Sequence, residues 1–392
     1  MLIIFHFYLM LFIYIWHREV QPAFYMENFI VSARKYRPES FRSVIAQGSI
    51  TSTLKNAIKI KQLAHAYLFC GPRGVGKTTC ARIFAKTINC SNLTAENEAC
   101  NECESCVAFS KSRSYNIHEL DAASNNSVDD IRNLIDQVRI PPQIGSYSVY
   151  IIDEVHMLSS QAFNAFLKTL EEPPRHALFI LATTEKHKIL PTILSRCQIF
   201  DFNRIKVVDI VKYLEFVAGS EGVSIEHNAL NVIASKADGA MRDALSIFDQ
   251  IVSFSGKEIT YQDVIANLNV LDYEYYFRLT GLFLKNEVPE TLMIFNEVLD
   301  KGFEGQHFIG GLASHFRDLL VSRDPVTVQL LEVGGDIRER YKAQASICPP
   351  DFLIEAIRIS SECDYQYKTS QNKRLSVELA LIRIAQLTLK KK

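Results

Sequence analysis

A glycine-rich stretch that ends in a lysine and two threonines is the part of the sequence best suited to chemistry. It fits the pattern G-x-x-x-x-G-K-[ST] and comprises Gly71, Pro72, Arg73, Gly74, Val75, Gly76, Lys77, Thr78 and Thr79. Glycines let the backbone turn its N–H groups towards an anion, and a helix N-terminus adds a positive dipole end. The motif therefore predicts a site for ATP, with Lys77 at the β- and γ-phosphates and the Thr78 hydroxyl on Mg²⁺.

A second motif lies about 75 residues further on, where residues 149–156 read VYIIDEVH. The apolar run predicts a central parallel strand, and ligands of α/β sheets collect where such strands end. Asp153 would hold the water shell of Mg²⁺, and Glu154 would polarise an attacking water. Either motif alone also fits a buried strand with an ordinary turn, but their order and spacing favour the chemistry.

Four of the nine cysteines are clustered with the spacing C-x9-C-x2-C-x2-C: Cys90, Cys100, Cys103 and Cys106. This spacing lets the thiolates point at one centre, and four thiolates suit a closed structural Zn²⁺ site. A disulfide pair, which is rare in a cytosolic protein, and unrelated core thiols are the alternatives. We assign no role to the scattered cysteines: Cys70, Cys80, Cys197, Cys348 and Cys363.

The bulk composition is that of a folded chain of two or three domains. It has 392 residues, of which 48% are hydrophobic and 22% charged, so disorder is not the default. The formal net charge is −1. Any contact with DNA must therefore come from a local basic patch.

Residues 1–25 differ from the rest, since residues 1–16 are almost wholly apolar. This run is shorter than the roughly 20 residues of a membrane span, and it lacks the basic start and cleavage site of a signal peptide. Our hypothesis is that Met26 is the true start and that residues 1–25 are upstream, AT-rich non-coding sequence translated in frame. A membrane anchor is the alternative.

The elements that must position these motifs follow from the pattern of apolar residues. Strands are predicted over 67–70, 116–121, 149–153, 178–183 and 199–202, alternating with helical patterns such as 128–138 and 161–170. Such alternation predicts an α/β domain, a parallel sheet with helices on both faces, over residues 26–202. After residue 203 the strand signals fade, and helical spacing predicts a small helical unit over 203–268 and an all-helical unit over 269–392.

From about Glu27 onward the chain resembles the gamma/tau subunits of bacterial DNA polymerase III, the ATPases of the sliding-clamp loader. The resemblance depends on the phosphate-loop motif, the four cysteines and several further segments in order. Those segments are RKYRP at 34–38, AHAYLF at 64–69, DAAS at 121–124, IDEVHMLS at 152–159, LKTLEEPP at 167–174 and LSRC at 194–197.

The resemblance implies an AAA+ module: a P-loop domain with a zinc-binding insertion at 90–106, a helical lid and a helical collar that assembles subunits. Thr184 resembles the residue that senses the γ-phosphate, Arg196 the arginine finger acting on a neighbouring subunit's ATP, and Arg242 the lid arginine. The segment near the adenine is represented by Ala33, Arg37 and Pro38. From the residues alone, Thr184 could simply end a strand, Arg196 could be a solvated arginine, and Arg242 could pair with Asp238.

The resemblance further implies a cytoplasmic, nucleoid-associated ATPase with ATP, Mg²⁺ and Zn²⁺ as cofactors. Its partners would be other loader subunits in a hetero-pentamer, the sliding clamp, and primed DNA bound through its phosphates, with no membrane role. The chain stops soon after the collar and so resembles the short form, without polymerase-binding and helicase-binding segments. Another AAA+ motor acting on DNA and a non-hydrolysing structural subunit are the competing hypotheses. No polymerase active site is recognisable.

Overall fold

The computed structural model describes residues 30–389, except for residues 112, 143–144, 332 and 334. The expectations about the apolar leader 1–25, Met26 and Glu27 lie outside the described residues. Within that range, no helix combines the length and the apolar character that crossing a membrane requires.

A five-stranded parallel sheet forms the first region. Its strands are β1 (Ala66–Cys70), β2 (Ile117–Asp121), β3 (Ser148–Asp153), β4 (Ala177–Thr183) and β5 (Gln198–Asp201), in the order β2-β3-β4-β1-β5. The four strand pairings within this sheet are all parallel, which confirms the parallel sheet that the sequence predicts. Because both faces are covered, β1, β3 and β4 are almost continuously apolar.

Helices cover the two faces of this sheet, and each face has its own hydrophobic cluster. Successive residues of β1 alternate between the clusters, with Tyr67 and Phe69 on one face and Leu68 and Cys70 on the other. The helices of this region are α1 (Ser32–Lys35), α2 (Gly48–Lys59), α3 (Lys77–Ile88), α4 (Glu104–Ser110), α5 (Val128–Val138), α6 (Ser160–Glu171) and α7 (Pro191–Leu194).

Short polar side chains start two of these helices. The Ser127 hydroxyl accepts the N–H of Asp130 at the start of α5, and the Ser159 hydroxyl accepts that of Ala162 at the start of α6. Each removes one of the unpaired N–H groups at a helix start, which fixes where the helix begins.

The second region consists of α8 (Val207–Glu221), α9 (His227–Lys236), α10 (Met241–Ser255) and α11 (Tyr261–Leu268) around one hydrophobic cluster. It also contains two parallel strands of two residues each, β6 (Ser224–Ile225) and β7 (Glu258–Ile259). The sequence predicts helices alone over 203–268. Strands of two residues are too short to leave an alternating pattern, so β6 and β7 are not expected.

The third region packs six helices around a large apolar core: α12 (Tyr273–Lys285), α13 (Val288–Asp300), α14 (Gly305–Val321), α15 (Gly335–Ile347), α16 (Pro350–Tyr367) and α17 (Lys373–Gln386). Helix α15 is the least apolar of the six for its place in the core, and its core contacts rest on few apolar residues such as Tyr341 and Ala345.

We propose domain boundaries near residues 203 and 269, where one hydrophobic cluster gives way to the next. One segment crosses the first boundary: α1 packs on α10, so that Ala33 and Tyr36 join the hydrophobic cluster of the second region. The Ser32 N–H donates to Asp249 of α10 at 2.7 Å. The start of the described chain therefore ties the two regions together.

Candidate nucleotide site and metal centre

A cavity of about 750 Å³ lies at the carboxyl edge of the sheet, between the first and second regions. Its walls come from five parts of the chain: 31–45, 73–79, 119–123, 153–154 and 205–245. This edge is where ligands of parallel α/β sheets bind. The cavity thus collects both sequence motifs and adds a wall from the second region.

The glycine-rich loop follows β1 and starts α3. Gly76 precedes the helix with φ 102°, and Gly74, with φ 76°, lies so close to the second region that a Cβ there would be 2.8 Å from the Cβ of Ala240. Both positions therefore require glycine. The loop contacts the second region directly.

Lys77 is the first residue of α3 and is buried. Its ammonium donates to the carbonyl oxygens of Gly71 and Pro72, each at 2.8 Å. Burial lowers its pKa, while Glu154 and Asp153 act in the opposite direction. A buried ammonium held only by carbonyls at the mouth of a loop suits a partner of opposite charge, such as a phosphate.

Thr78 and Asp153 meet across the loop and the end of β3. The Thr78 hydroxyl donates to the Asp153 carboxylate at 2.6 Å, and the N–H of Glu154 donates to its other oxygen at 3.0 Å. A hydroxyl beside a carboxylate is the donor set that Mg²⁺ prefers. The residues therefore fit a magnesium ion on the phosphate side of the cavity.

Glu154 is held by the residue after the neighbouring strand. Thr184 follows β4, and both its hydroxyl and its N–H donate to the Glu154 carboxylate, at 2.9 and 3.2 Å. Glu154 itself is in the left-handed region with φ 47°, a costly conformation for a residue with a side chain. The structure thus brings Thr184 to Glu154, one contact away from the cavity.

His156 is a residue that the sequence analysis quotes but gives no role. Its side chain is 6% exposed, with Nδ1 at 3.0 Å from the Thr183 hydroxyl and 3.4 Å from the Glu154 carboxylate. Nε2 lies 3.7 Å from Glu185. Its position two residues after Glu154 is the only sequence signal for this contact.

The opposite wall combines the three residues proposed for the adenine side with apolar neighbours. Ala33, Arg37 and Pro38 all line the cavity, and Nε of Arg37 donates to the Thr79 hydroxyl at 3.1 Å. Burial lowers the pKa of Arg37, and the charge of Arg82 adds to this. The sequence analysis misses the further lining residues, which have no local signal: Val31, Tyr36, Ile45, Ile205, Tyr213, Met241 and Leu245.

Arg242 lines the cavity from the start of α10. The alternative pairing with Asp238 is not formed, because Asp238 precedes the helix in the left-handed conformation and pairs with Arg204 instead. An arginine in this position faces the loop from the second region. It can therefore report whether the two regions are close together.

Arg196 lies away from the cavity, just after α7. Its guanidinium donates to the Glu171 carboxylate at 2.8 Å and to the carbonyl oxygen of Thr192 at 2.6 Å. It is not among the residues that line the cavity of its own chain. The structure therefore does not bring Arg196 together with the phosphate loop and the acidic residues of its own chain.

The four clustered cysteines converge in the insertion between α3 and α5. Their sulfur atoms all lie within 4.8 Å of one another, with Cys90 and Cys100 at 3.5 Å and Cys90 and Cys103 at 3.9 Å. Tetrahedral Zn²⁺ with bonds of about 2.3 Å places its sulfur ligands about 3.8 Å apart. All nine cysteines are free thiols, so a disulfide is not formed, and the cluster fits zinc.

The fold and the cavity define a P-loop module of the AAA+ class with a lid. Comparison with family models agrees: "DNA polymerase III, delta subunit" matches residues 46–206, and "DNA polymerase III clamp loader subunit, ATPase lid domain" matches residues 209–257. Both models describe subunits of DNA polymerase III, and the second describes a clamp loader subunit.

The curated relatives are more specific. The chain is 36% identical over 364 residues to DNA polymerase III subunit gamma of Buchnera aphidicola subsp. Acyrthosiphon pisum, covering 91% of this chain and 99% of that protein. It is 42% identical over 353 residues to DNA polymerase III subunit tau of Bacillus subtilis, covering 90% of this chain and 62% of that protein. This chain belongs to the gamma/tau family of DNA polymerase III subunits.

Coverage differs among these relatives. The chain spans 55% of the tau subunit of Escherichia coli, at 36% identity over 91% of its own length. Among solved structures, the RuvB branch-migration motor of Thermotoga maritima aligns with 64% of this chain and 79% of its own, at 21% identity and a TM-score of 0.45. That likeness is too weak to carry an argument about function.

Proposed function

We propose that this chain is an ATP-hydrolysing subunit of a clamp loader, which opens a sliding clamp and releases it on primed DNA during replication. The observation that supports this most directly is the cavity in which the glycine-rich loop, Asp153 and Glu154 of the first region face Arg242 of the second. Such a cavity joins nucleotide chemistry to the relative position of two regions, which is what a machine driven by ATP requires.

Each wall of the cavity suits one part of ATP. The loop residues 71–79 and the Lys77 ammonium face the phosphates, and Ala33, Arg37 and Pro38 with the neighbouring apolar side chains face the base. Lys77 leaves the carbonyls of Gly71 and Pro72 for the β- and γ-phosphates. Binding then replaces hydrogen bonds from the ammonium to neutral carbonyls with bonds to negatively charged phosphate oxygens.

The acidic residues of β3 carry the hydrolysis. Thr78 and Asp153 hold Mg²⁺, which neutralises charge on the phosphates when it is bound. Glu154 orients and polarises the attacking water, and Thr184 holds the Glu154 carboxylate until a γ-phosphate competes for the threonine. In this arrangement the contact between Thr184 and Glu154 distinguishes ATP from ADP.

Arg242 and Arg196 connect ATP to the positions of the lid and of a neighbouring subunit. Arg242 closes over the phosphates as the lid approaches the loop through the contact of Gly74 with Ala240. Arg196, presented by Glu171 on the outer surface, serves the γ-phosphate of the adjacent subunit. A cation delivered there stabilises the charge of the transition state and makes hydrolysis depend on assembly.

The remaining assignments follow from the family. The helical third region serves as the collar that joins this chain to other loader subunits in a hetero-pentamer with several copies of it. The sliding clamp and primed DNA are its further partners, DNA being bound through phosphates without regard to sequence. Zn²⁺ on Cys90, Cys100, Cys103 and Cys106 holds the insertion 90–106 together. We place the protein in the cytoplasm, at the nucleoid.

The test is the ATPase rate of the full chain with and without the partner subunits, sliding clamp and primed DNA. We expect clamp plus primed DNA to raise the rate, and Arg196→Ala to abolish that rise while ATP binding persists. Arg132→Ala is the matched control, since Arg132 also forms a surface ion pair with an acidic residue of the same region. A rate indifferent to clamp and DNA would favour a different AAA+ motor, and no turnover at all would favour a structural subunit.

A further inference from the structure

The insertion that carries the four cysteines touches the nucleotide cavity indirectly, through one buried carboxylate. Glu98 is only 8% exposed, although it lies on the surface loop between Cys90 and Cys100. One oxygen accepts the N–H of Phe41 at 3.0 Å, and the other accepts the ammonium of Lys55 at 2.9 Å. A carboxylate this buried and fully paired has a fixed position.

The cysteine cluster holds Glu98 in place. Cys100, two residues later, donates its N–H to the sulfur of Cys90 at 3.3 Å. On the other side, the N–H of Glu98 donates to the Thr94 hydroxyl at 3.1 Å, and the N–H of Thr94 donates to the Glu98 carbonyl at 3.0 Å. The loop is therefore closed on itself, and the carboxylate is directed away from it towards Phe41.

Phe41 is the middle of a segment whose two ends form one wall of the cavity. Arg37 and Pro38 line the cavity before it, and Val44 and Ile45 line it afterwards. The Phe41 ring is 2% exposed and packs in the same cluster as Val75 of the glycine-rich loop. Any shift of the Phe41 backbone thus moves both ends of this wall, which we call the 37–45 wall.

A second connection runs through α3. This helix begins at Lys77 and ends at Ile88, two residues before Cys90. Its twelve residues form a rigid rod of about 18 Å between the phosphate side of the cavity and the cysteine cluster. The cluster is thereby joined to the cavity at two points, by α3 and by Glu98.

We propose that Glu98 is a positioning residue for the nucleotide, and that it makes nucleotide affinity depend on the metal in the cysteine cluster. With the cluster loaded, Glu98 holds Phe41 and so sets the 37–45 wall at the spacing that the base requires. Without the metal, the loop 90–106 loses its closure and the wall is no longer held. The inference rests on nucleotide binding in the proposed function, and it does not require clamp loading.

Coupling between two sites is reciprocal, which gives a second readout. If the metal tightens nucleotide binding, then bound nucleotide must hold the metal more tightly by the same factor. Loss of zinc to a coloured chelator can be followed in the native, fully loaded chain, without any measurement of turnover. This readout also avoids preparing a metal-free protein.

The experiment measures the dissociation constant of a fluorescent ADP analogue by anisotropy for the full chain. We expect Glu98→Ala to weaken binding about tenfold, with Glu98→Gln between it and the wild type. Glu96→Gln is the matched control, because Glu96 lies in the same loop but its side chain is 61% exposed. Its ion pair with Arg42 is long, at 3.8 Å. We expect it to bind within about twofold of the wild type.

The metal is tested with the same proteins. We expect ADP to reduce several-fold the amount of zinc that the chelator takes at equilibrium from the wild type and from Glu96→Gln, and to have no effect on it in Glu98→Ala. A lower melting temperature of Glu98→Ala with an unchanged dissociation constant would reduce Glu98 to a structural role and overturn the inference. If Glu98→Ala does not fold, the same comparison is made with Glu98→Gln.

The outcomes also separate this inference from the proposed function. A wild type that binds no ADP analogue contradicts the nucleotide site itself, and the inference falls with it. A wild type that binds the analogue but has the same zinc affinity, measured against the chelator at equilibrium, with and without ADP overturns the inference alone.

Discussion

The nucleotide cavity and the core of the third region both bury polar groups, but they satisfy them differently. In the cavity, the Lys77 ammonium is held only by two backbone carbonyls, and the Thr78 hydroxyl by one carboxylate. In the third region, the buried His315 has Nδ1 at 2.9 Å from the hydroxyl of Tyr341, which is also buried.

Aromatic rings surround His315, and its Nε2 has no hydrogen-bond partner among the described residues. The rings of Tyr276 and Phe277 have centroids 5.8 and 5.0 Å from that of His315. Among the described residues of the third region, no group of three or more metal-binding side chains converges. The polar pair here fixes how the helices pack, whereas the polar groups of the cavity await a ligand. This difference indicates that a buried polar group marks a binding site only when a ligand can take the place of its internal partners.

The strongest test of this comparison removes the ammonium of the cavity. We expect Lys77→Ala to lower nucleotide affinity and ATP turnover at least about a hundredfold, because the charge that faces the phosphates is lost. The melting temperature should change little, since burial of this ammonium opposes folding. Lys86→Ala is the control, because Lys86 is also buried on α3 but does not line the cavity. A large loss of stability in Lys77→Ala alone would contradict the distinction.

A test of comparable size concerns pH and the third region. Burial lowers the pKa of His315 to about 3, against about 6.5 in an unfolded chain. Between these values the unfolded state binds more protons, so the free energy of unfolding must fall as pH falls. The free energy of unfolding can fall through this one group by at most about 1.4 kcal/mol per pH unit.

The measurement is denaturant unfolding between pH 7 and 5 for the wild type and His315→Phe. We expect the wild type to lose stability more steeply with acid, although His315→Phe starts lower because it leaves the Tyr341 hydroxyl unpaired. Identical slopes for the two proteins would show that His315 is protonated in the fold or does not contribute. Nucleotide affinity in this pH range is not expected to depend on His315.

How far the sequence alone leads differs between the regions. The phosphate loop and the acidic motif are local patterns, and the residues they single out, Lys77, Thr78, Asp153 and Glu154, all line one cavity. Their chemical roles stay predictions. Strands β1, β3 and β4 follow because buried strands leave nearly continuous apolar runs. The clustered cysteines are likewise close in sequence and in space.

What the sequence misses depends on distant contacts. Tyr36 and Tyr213 line the same cavity from two different regions, and the Tyr213 hydroxyl of α8 donates to the Tyr36 carbonyl at 2.7 Å. No spacing in the sequence indicates this contact. The bounds of helix α15 are hard to read from the sequence, because Tyr341 and Ala345 carry much of its burial and most of its other residues are polar. The role of Arg196 depends on a second molecule, so it stays a proposal.

A smaller effect is expected at His156, which contacts Glu154 but does not itself line the cavity. Its substitution tests whether turnover depends on residues outside the cavity lining. His156→Ala removes the imidazole between the Thr183 hydroxyl and Glu154. We expect turnover to fall about tenfold with nucleotide affinity nearly unchanged, because His156 acts through the orientation of Glu154. The measurement is steady-state ATPase kinetics beside equilibrium binding. Equal losses in turnover and affinity would mean that the cavity itself has collapsed.

Glu185→Gln is the control for His156, since Glu185 lies 3.7 Å from the other ring nitrogen and is more exposed. We expect it to retain most of the turnover. His156→Gln should recover part of the loss, because an amide can still bond to Thr183.

The smallest effect is expected at the contact between Asp249 and Ser32, a partly buried polar contact with a fixed internal partner that lies beside the nucleotide cavity. Asp249 of α10 accepts both the N–H and the hydroxyl of Ser32, and the next residue, Ala33, lines the cavity. Asp249→Asn keeps one acceptor oxygen but loses the charge, so we expect a stability loss of about 1 kcal/mol. Nucleotide affinity should fall only about twofold to threefold, because α1 also packs on α10 through apolar contacts.

Gln250→Ala is the matched control on the same helix, where Gln250 bonds to Asn267 at 2.8 Å on the side of α11. We expect it to lose a similar amount of stability or less, and no nucleotide affinity. If Asp249→Asn and Gln250→Ala behave alike in both measurements, the contact at Ser32 belongs with the His315–Tyr341 pair as packing alone. If only Asp249→Asn weakens nucleotide binding, then a polar contact with a fixed internal partner still shapes the cavity. Helix α1 would then combine both kinds of polar group, those that pack the fold and those that serve the ligand.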